Sequence, residues 1–469
     1  MIRRIILGVT AVCLPGVALA KPPATSGVCA TYPSAPACMG QQPACTLCHS
    51  APPQRNVFGA SLEPHLAPGA PRPLSDGDFA MALPAALRAV EWADADGDGV
   101  PNMEELLRGT WPADAASAPK APRDCVAGQN PAYDVCRYDL RFAYRRVLLD
   151  FCGRSPTYAE LQAFTTRSED SQRELLDAEL DRCTESEFWR GKNGQLWKLA
   201  HPKIRPVGSI KSGEDAGPIP LADYYDDYAL YAYAQLDDHD AREVMTARFH
   251  VRRQTDPTRY TATPTLPSQF VEEAHRAGNL TSRWSLVSFV MFTALPRNAA
   301  SQSYRAYLGL DIAMQQGLYS VPGEPRDYDA KGVQAPACAA CHATLDPLSY
   351  PFRNYNGISG LSSTARYVPG RIERYFAAEA PTITQIPESG FLLGQPVRDL
   401  QEWAQVGANS DAFAISAVTD YWKLLVGHAP TAEEQPEFVA LWQRFKGTHG
   451  YSVRRMLHEL IRTEAYGAP

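Results

Sequence analysis

The pattern Cys-x-x-Cys-His occurs twice in this chain, as Cys45-Thr46-Leu47-Cys48-His49 and as Cys338-Ala339-Ala340-Cys341-His342. It constrains the molecule more than any other feature. Two thiols three residues apart fall on one helical turn, and the adjacent imidazole points to the same side. That geometry lets both thiols bond to the vinyl groups of one haem while the histidine reaches the iron. A redox dithiol, a zinc half-site or a short disulfide would use a similar spacing, but two copies behind an export signal favour haem. The expectation is two covalently bound haem c groups, one on Cys45, Cys48 and His49 and the other on Cys338, Cys341 and His342.

The export signal is read from residues 1–20. Arg3 and Arg4 precede an apolar run from Ile5 that ends in Ala18-Leu19-Ala20, the form of a secretory signal peptide. No later stretch approaches the roughly 20 apolar residues of a membrane-spanning helix, so a periplasmic or secreted protein is expected. The net charge of −7 contains no basic block, which argues against nucleic acid as a partner. Of eleven cysteines, one lies in the signal and four in the two motifs. The remaining six form three near pairs, Cys29 with Cys38, Cys125 with Cys136 and Cys152 with Cys183, which an oxidising compartment would join, although six cysteines allow about fifteen connectivities.

Along the chain, apolar residues recur mostly at helical spacing and strand-like alternation is scarce. The fold class expected is all-α: a cytochrome c-like haem domain over residues 21–111, a linker over 112–123, a helical domain over 124–335, and a second haem-binding helical domain over 336–469 that can form one unit with it. Helices are expected from Leu83 to Trp92, through Glu104 and Leu107 up to Gly109, over Leu140, Tyr144, Val147, Leu148 and Phe151, and over Val453 to Ile461. Thr157 with Glu160, and Thr431 with Glu434, read as capping boxes. Leu286 to Leu295 reads as a strongly apolar helix. Asp223 to Asp240, with its interleaved tyrosines, reads as an amphipathic one.

The face of each iron opposite the motif histidine decides the chemistry, since an occupied site favours electron transfer and an open one admits a small ligand. Candidate distal ligands are His65 and Met81 for the first haem, with Met103 behind them. For the second they are His275, His201 and His250, of which His275 is preferred. A further site is read from Asp94-Ala95-Asp96-Gly97-Asp98-Gly99-Val100, followed by Asn102 and Glu105. These residues fill every ligand position of an EF-hand loop, with the Val100 carbonyl at the seventh, and imply one calcium ion. Pro101, at the eighth position, lacks the N–H that pairs two such loops, so a lone structural site is expected.

Several segments resemble the exported planctomycete-type cytochrome c proteins. RVLLDFCGRSPTYAEL, from Arg146 to Leu161, is similar to their recurring helix-turn-helix segment. CAACHATLDPLSYPFRNYNGI, from Cys338 to Ile358, resembles their haem signature with its hydrophobe-Asp-Pro continuation. The tail from Phe413 to Tyr466 is similar to the segment that follows. The resemblance implies Cys338, Cys341 and His342 as haem ligands and Asp346-Pro347 as a turn beside the porphyrin. It departs at Arg353 and Asn356, where that family tends to carry carboxylates, and it implies no particular reaction. Electron transfer with a redox partner protein or a small-molecule donor or acceptor is the leading expectation. A di-haem peroxidase or oxygenase and a haem-stapled extracellular structural protein are the alternatives. No catalytic residue is assigned.

Overall fold

Four helices bounded by local signals build the first part of the molecule. The computed structural model describes residues 21, 23–39, 42–117, 138–205, 222–255, 257–358 and 365–468. The expected signal peptide, the Cys125–Cys136 pair and residues 118–123 of the expected linker lie outside them. Helix α1 (Pro23–Thr31) crosses α3 (Asp76–Ala89) so closely that a Cβ on Gly27 would come within 2.6 Å of Leu83 Cδ2. A disulfide between Cys29 and Cys38 ties the end of α1 to the turn that follows. Helix α2 (Val57–Leu62) is capped by Asn56, and α4 (Asn102–Arg108) ends at Gly109, whose φ of 81° suits a residue without Cβ. Ser75 caps α3, so that helix begins earlier than the sequence suggests and stops at Ala89 rather than Trp92. Val28, Phe58, Leu62, Leu83, Leu87 and Leu106 belong to a core of its own.

A second, larger core runs from Ala143 to Tyr466. Helix α5 (Leu140–Cys152) buries Tyr144, Val147, Leu148 and Phe151, the face its periodicity marks, and ends at Gly153 with φ 70°. The capping box of Thr157 and Glu160 opens α6 (Tyr158–Thr165) as expected. Helix α7 (Glu169–Thr184) packs on α5 and is joined to it by the disulfide Cys152–Cys183. Helices α8 (Gln195–Ile204), α9 (Tyr225–Gln235), α10 (Arg297–Leu308) and α11 (Pro336–Ser349) follow. The end of the chain adds α12 (Leu400–Asn409), α13 (Asp411–Leu425), α14 (Gln435–Lys446) and α15 (Val453–Leu460). The fold is mostly helical. Its described strands form four two-stranded antiparallel hairpins, such as β1 (His49–Ala51) with β2 (Gln54–Arg55) beside the first motif.

Three local readings change. The apolar run from Leu286 is a π-helical turn to Val290, broken at Met291 with φ 50° before Pro296. Its apolarity reflects burial of a short segment instead of a long helix. Helix α9 is buried on nearly every side, so it is not amphipathic: Asp227 within it is enclosed, and its Oδ2 accepts a 2.6 Å hydrogen bond from Ser282 Oγ. Thr431 and Glu434 share a turn before α14, where Thr431 N–H donates to Glu434 Oε2. The helix itself starts at Gln435 because Pro436 favours the first helical turn.

Candidate functional site

Asn56 organises the first motif. Its Oδ1 accepts from Gly59 N–H at 2.8 Å to cap α2, while its Nδ2 donates to the carbonyls of Thr46 at 2.9 Å and Leu47 at 3.0 Å. Cys45–Leu47 form one 3₁₀ turn, Cys48 closes it, and His49 opens β1. Helix α2 presses on this turn with Gly59, where a Cβ would stand 2.0 Å from the Cys48 carbonyl oxygen. The motif faces a cavity of about 440 Å³, within the usual size range of a cofactor pocket. Val28, Leu62, Leu66, Leu74, Phe79 and Leu83 make its walls apolar, and Lys21, Arg55, Glu63 and Arg72 stand among them.

The thiols of Cys45 and Cys48 are both free of disulfides. Burial pushes the Cys48 thiol up to about 12, with Cys45 adding to the shift. His49 Nδ1 is buried without a hydrogen-bond partner. Burial lowers the proton affinity of that ring, with the neighbouring backbone of Gln54 and Pro53 acting the other way. A neutral imidazole is the form that binds a metal. Two free thiols, this histidine and an apolar cavity at their side make a donor set that fits a covalently attached haem.

The second motif lies on α11, with Cys338, Cys341 and His342 along one helical face. Cys338 is exposed, and both thiols are free. His342 Nδ1 lies 2.8 Å from Asp346 Oδ1, one turn further along the helix. This donor set could also take a haem, with Cys338 exposed and Cys341 and His342 half-buried.

The two motifs come near each other although they lie far apart in the sequence. Burial raises the Cys45 thiol, and the Cys341 thiol is near enough to raise it further. Between them passes the short turn Ile312–Met314 and then Gln315, whose carbonyl accepts from Cys45 Sγ at 3.9 Å and whose side lines the cavity.

The distal candidates are dispersed. His65 is exposed at the end of the Glu63–His65 turn, Met81 is 76% exposed on α3, and Met103 packs against the smaller core. None of these three lines the cavity, whose described lining holds no other His and no Met. His275 stacks on Tyr367, ring centroids 3.6 Å apart, and its carbonyl accepts from Tyr355 Oη. His201 lies edge-on to Trp197, and His250 is buried, which lowers its pKa to about 4.

The acidic loop lies between α3 and α4 with the hydrogen bonds its sequence implies. Asp94 accepts from the N–H groups of Gly97 at 2.7 Å and Gly99 at 2.8 Å, and Asp98 accepts from Val100 at 2.8 Å. Carboxylate oxygens of Asp94, Asp96 and Asp98 lie within 4.8 Å of one another. Glu105 is fully buried behind them, and neither of its oxygens has a partner. Burial first, then the charges of Asp96, Asp98 and Asp94, raise its pKa to about 8. Such a set could hold a hard cation that takes oxygen ligands. Asn102 is buried at the base of the loop, where its Oδ1 accepts from Ala95 N–H at 3.1 Å and its Nδ2 donates to the Val90 carbonyl at 2.8 Å. Its amide therefore ties the start of the loop to its ninth position.

Sequence reasoning did not find Gln315, Arg297 or Asp329 as neighbours of the motifs. The spacing of four between His342 and Asp346 could have shown their contact, because such residues meet on a helix. Among the described residues no helix is long and apolar enough to cross a membrane, and the two disulfides suit an oxidising compartment. Comparison with protein-family models, with curated proteins and with solved structures finds no match to this chain.

Proposed function

We propose that this is an exported di-haem c-type cytochrome whose work is electron transfer, with a cytochrome c-like first domain braced by one calcium ion. The observation that carries the reading is the nearness of the two Cys-x-x-Cys-His sets, which flank the one turn from Ile312 to Gln315, since proximity of two redox groups is what an electron relay needs and a purely structural use of haem does not. Bound haem would supply reversible one-electron chemistry at iron, and every other property belongs to the chain. Cys45, Cys48 and His49 would hold one group inside the cavity, where Val28, Leu66 and Phe79 exclude water. Lys21, Arg55 and Arg72 offer cations to its carboxylates. Cys338, Cys341 and His342 would hold the other on α11. Asp94, Asp96, Asp98, Glu105 and the Val100 carbonyl would bind calcium. A redox protein or a small-molecule donor or acceptor would meet the open face near Cys338.

A second reading, a peroxidase or oxygenase with an open coordination site, is favoured by one observation: among the described residues lining the cavity, only His49 offers a strong axial ligand. Optical and EPR spectra of the ferric protein with and without cyanide decide between them. Two low-spin haems that ignore cyanide support the carrier. A high-spin haem that binds cyanide overturns it in favour of the enzyme.

A further inference from the structure

The two motif histidines differ in what stands behind them. His49 Nδ1 has no hydrogen-bond partner. His342 Nδ1 faces Asp346 Oδ1 at 2.8 Å, and Asp346 is completely buried. With Nε2 directed to a metal, the proton of a neutral imidazole resides on Nδ1, so His342 donates to the carboxylate. That carboxylate is itself fixed. Arg297, at the start of α10, donates from Nε to Asp346 Oδ1 at 2.6 Å and from Nη2 to Oδ2 at 2.8 Å. Its Nη1 and Nη2 reach Asp329 at 2.6 and 3.0 Å. Burial works against the charge on Arg297, but the bonds to both carboxylates outweigh it and keep the guanidinium protonated. Two carboxylates against one guanidinium leave the cluster with a net negative charge directed at His342. Packing alone does not account for it, because a buried ion pair is often no more stabilising than apolar side chains of the same volume.

A carboxylate that accepts the outer N–H of a metal-bound imidazole fixes its orientation and makes it a stronger donor. A stronger donor favours ferric over ferrous iron and lowers the reduction potential. The first set works in the opposite sense: its apolar cavity disfavours the extra positive charge of ferric iron, and no carboxylate stands behind its histidine. We infer that Asp346, held by Arg297 and Asp329, is a positioning residue that strengthens His342 as an axial ligand, makes the haem on α11 the lower-potential of the two, and so sets electron flow from α11 toward the cavity. This inference rests on the di-haem reading given above.

Potentiometric titration of the full-length protein, followed optically and by EPR, tests it with Asp346→Asn. The amide keeps the shape and removes the charge. The lower of two one-electron waves should rise by about tenfold in ferrous-to-ferric ratio, equal to about 59 mV for one electron, with a changed EPR signal for that haem alone and the upper wave unmoved. Asp329→Asn leaves the charge of Arg297 more fully on Asp346, and should move the same wave in the same direction by less. It serves as the second probe if Asp346→Asn folds poorly. An unmoved lower wave in both variants, or movement of the upper wave, overturns the inference while the di-haem reading stands. Fewer than two haems per chain by pyridine haemochrome overturns both.

Discussion

Glu105 gives the sharpest test of the acidic loop, because its contribution should change sign with calcium. The side chain is fully buried, both oxygens lack partners, and Asp94, Asp96 and Asp98 crowd it with like charge. Without a cation this arrangement opposes folding. With one, four carboxylates and the Val100 carbonyl close around it. For a lone exported loop an affinity on the order of 10⁻⁴ M is reasonable. Calcium at about 100 times that value would stabilise the folded form by about 2.7 kcal/mol. For a unit the size of residues 21–117, each kcal/mol moves the melting midpoint by about 4–8 °C, so calcium should raise that transition by roughly 10–20 °C. Glu105→Gln should abolish most of this rise, yet melt no lower than the unaltered protein in excess chelator, since it removes the uncompensated carboxylate. Calorimetry of both proteins, with calcium, with magnesium and with chelator, reads the crossing directly. A midpoint of the unaltered protein that ignores chelator, or a Gln variant weakened equally in every buffer, would refute the argument.

Two further outcomes follow from packing and charge. Gly59→Ala places a methyl group 2.0 Å from the Cys48 carbonyl; it should push α2 off the motif turn and cut haem attachment at Cys45 and Cys48 while sparing Cys338 and Cys341, which haem-stained peptide mapping can resolve. Asp181 on α7 is held below the usual carboxylate range: burial alone would raise it, but the bonds from Arg454 and His458 on α15 win. A depressed carboxylate stabilises the fold above its unfolded pKa near about 4 and loses that contribution as pH falls through the folded value. Asp181→Asn should therefore cost no more than about 1 kcal/mol at neutral pH, given the solvent around it, and should flatten the acid side of the stability profile measured by urea unfolding between pH 5 and pH 2.5.

What could be read from the sequence was what local chemistry decides. The glycine that ends α4 and the box of Thr157 and Glu160 depend on neighbours within a few residues, and each took the expected form. The misread segments depended on partners far along the chain. Tyr225–Gln235 has the composition of a surface helix, yet Ser282 donates to Asp227 Oδ2 and Asn279 to the Asp227 backbone carbonyl from far along the chain. The run from Leu286 looked long because apolar residues continue past Val290, whereas Met291 and Pro296 stop the helix. The distal candidates shared the same weakness. Nearness in sequence to Cys48 put His65 and Met81 forward, but the cavity is walled by α1, α3 and the Leu66–Leu74 segment, with both candidates turned outward.

The contrast between the two motif settings follows from the size of the units that carry them. Residues 21–117 are too few to bury a large share of their surface, and chains of this size lean on disulfides, metals or cofactors. Here a disulfide at Cys29–Cys38, an acidic loop closing α3 on α4, and a cavity of about 440 Å³ at the centre occupy one small unit. In such a unit a haem in the cavity would add apolar contacts to Val28, Leu62 and Leu83 and so would contribute to the fold as well as to the chemistry. The larger unit has an extensive core from Ala143 to Tyr466, against which Cys341 and Leu345 pack. It can therefore carry the second motif at its edge, with Cys338 exposed and Cys341 and His342 half-buried, where a second haem would be able to meet a partner.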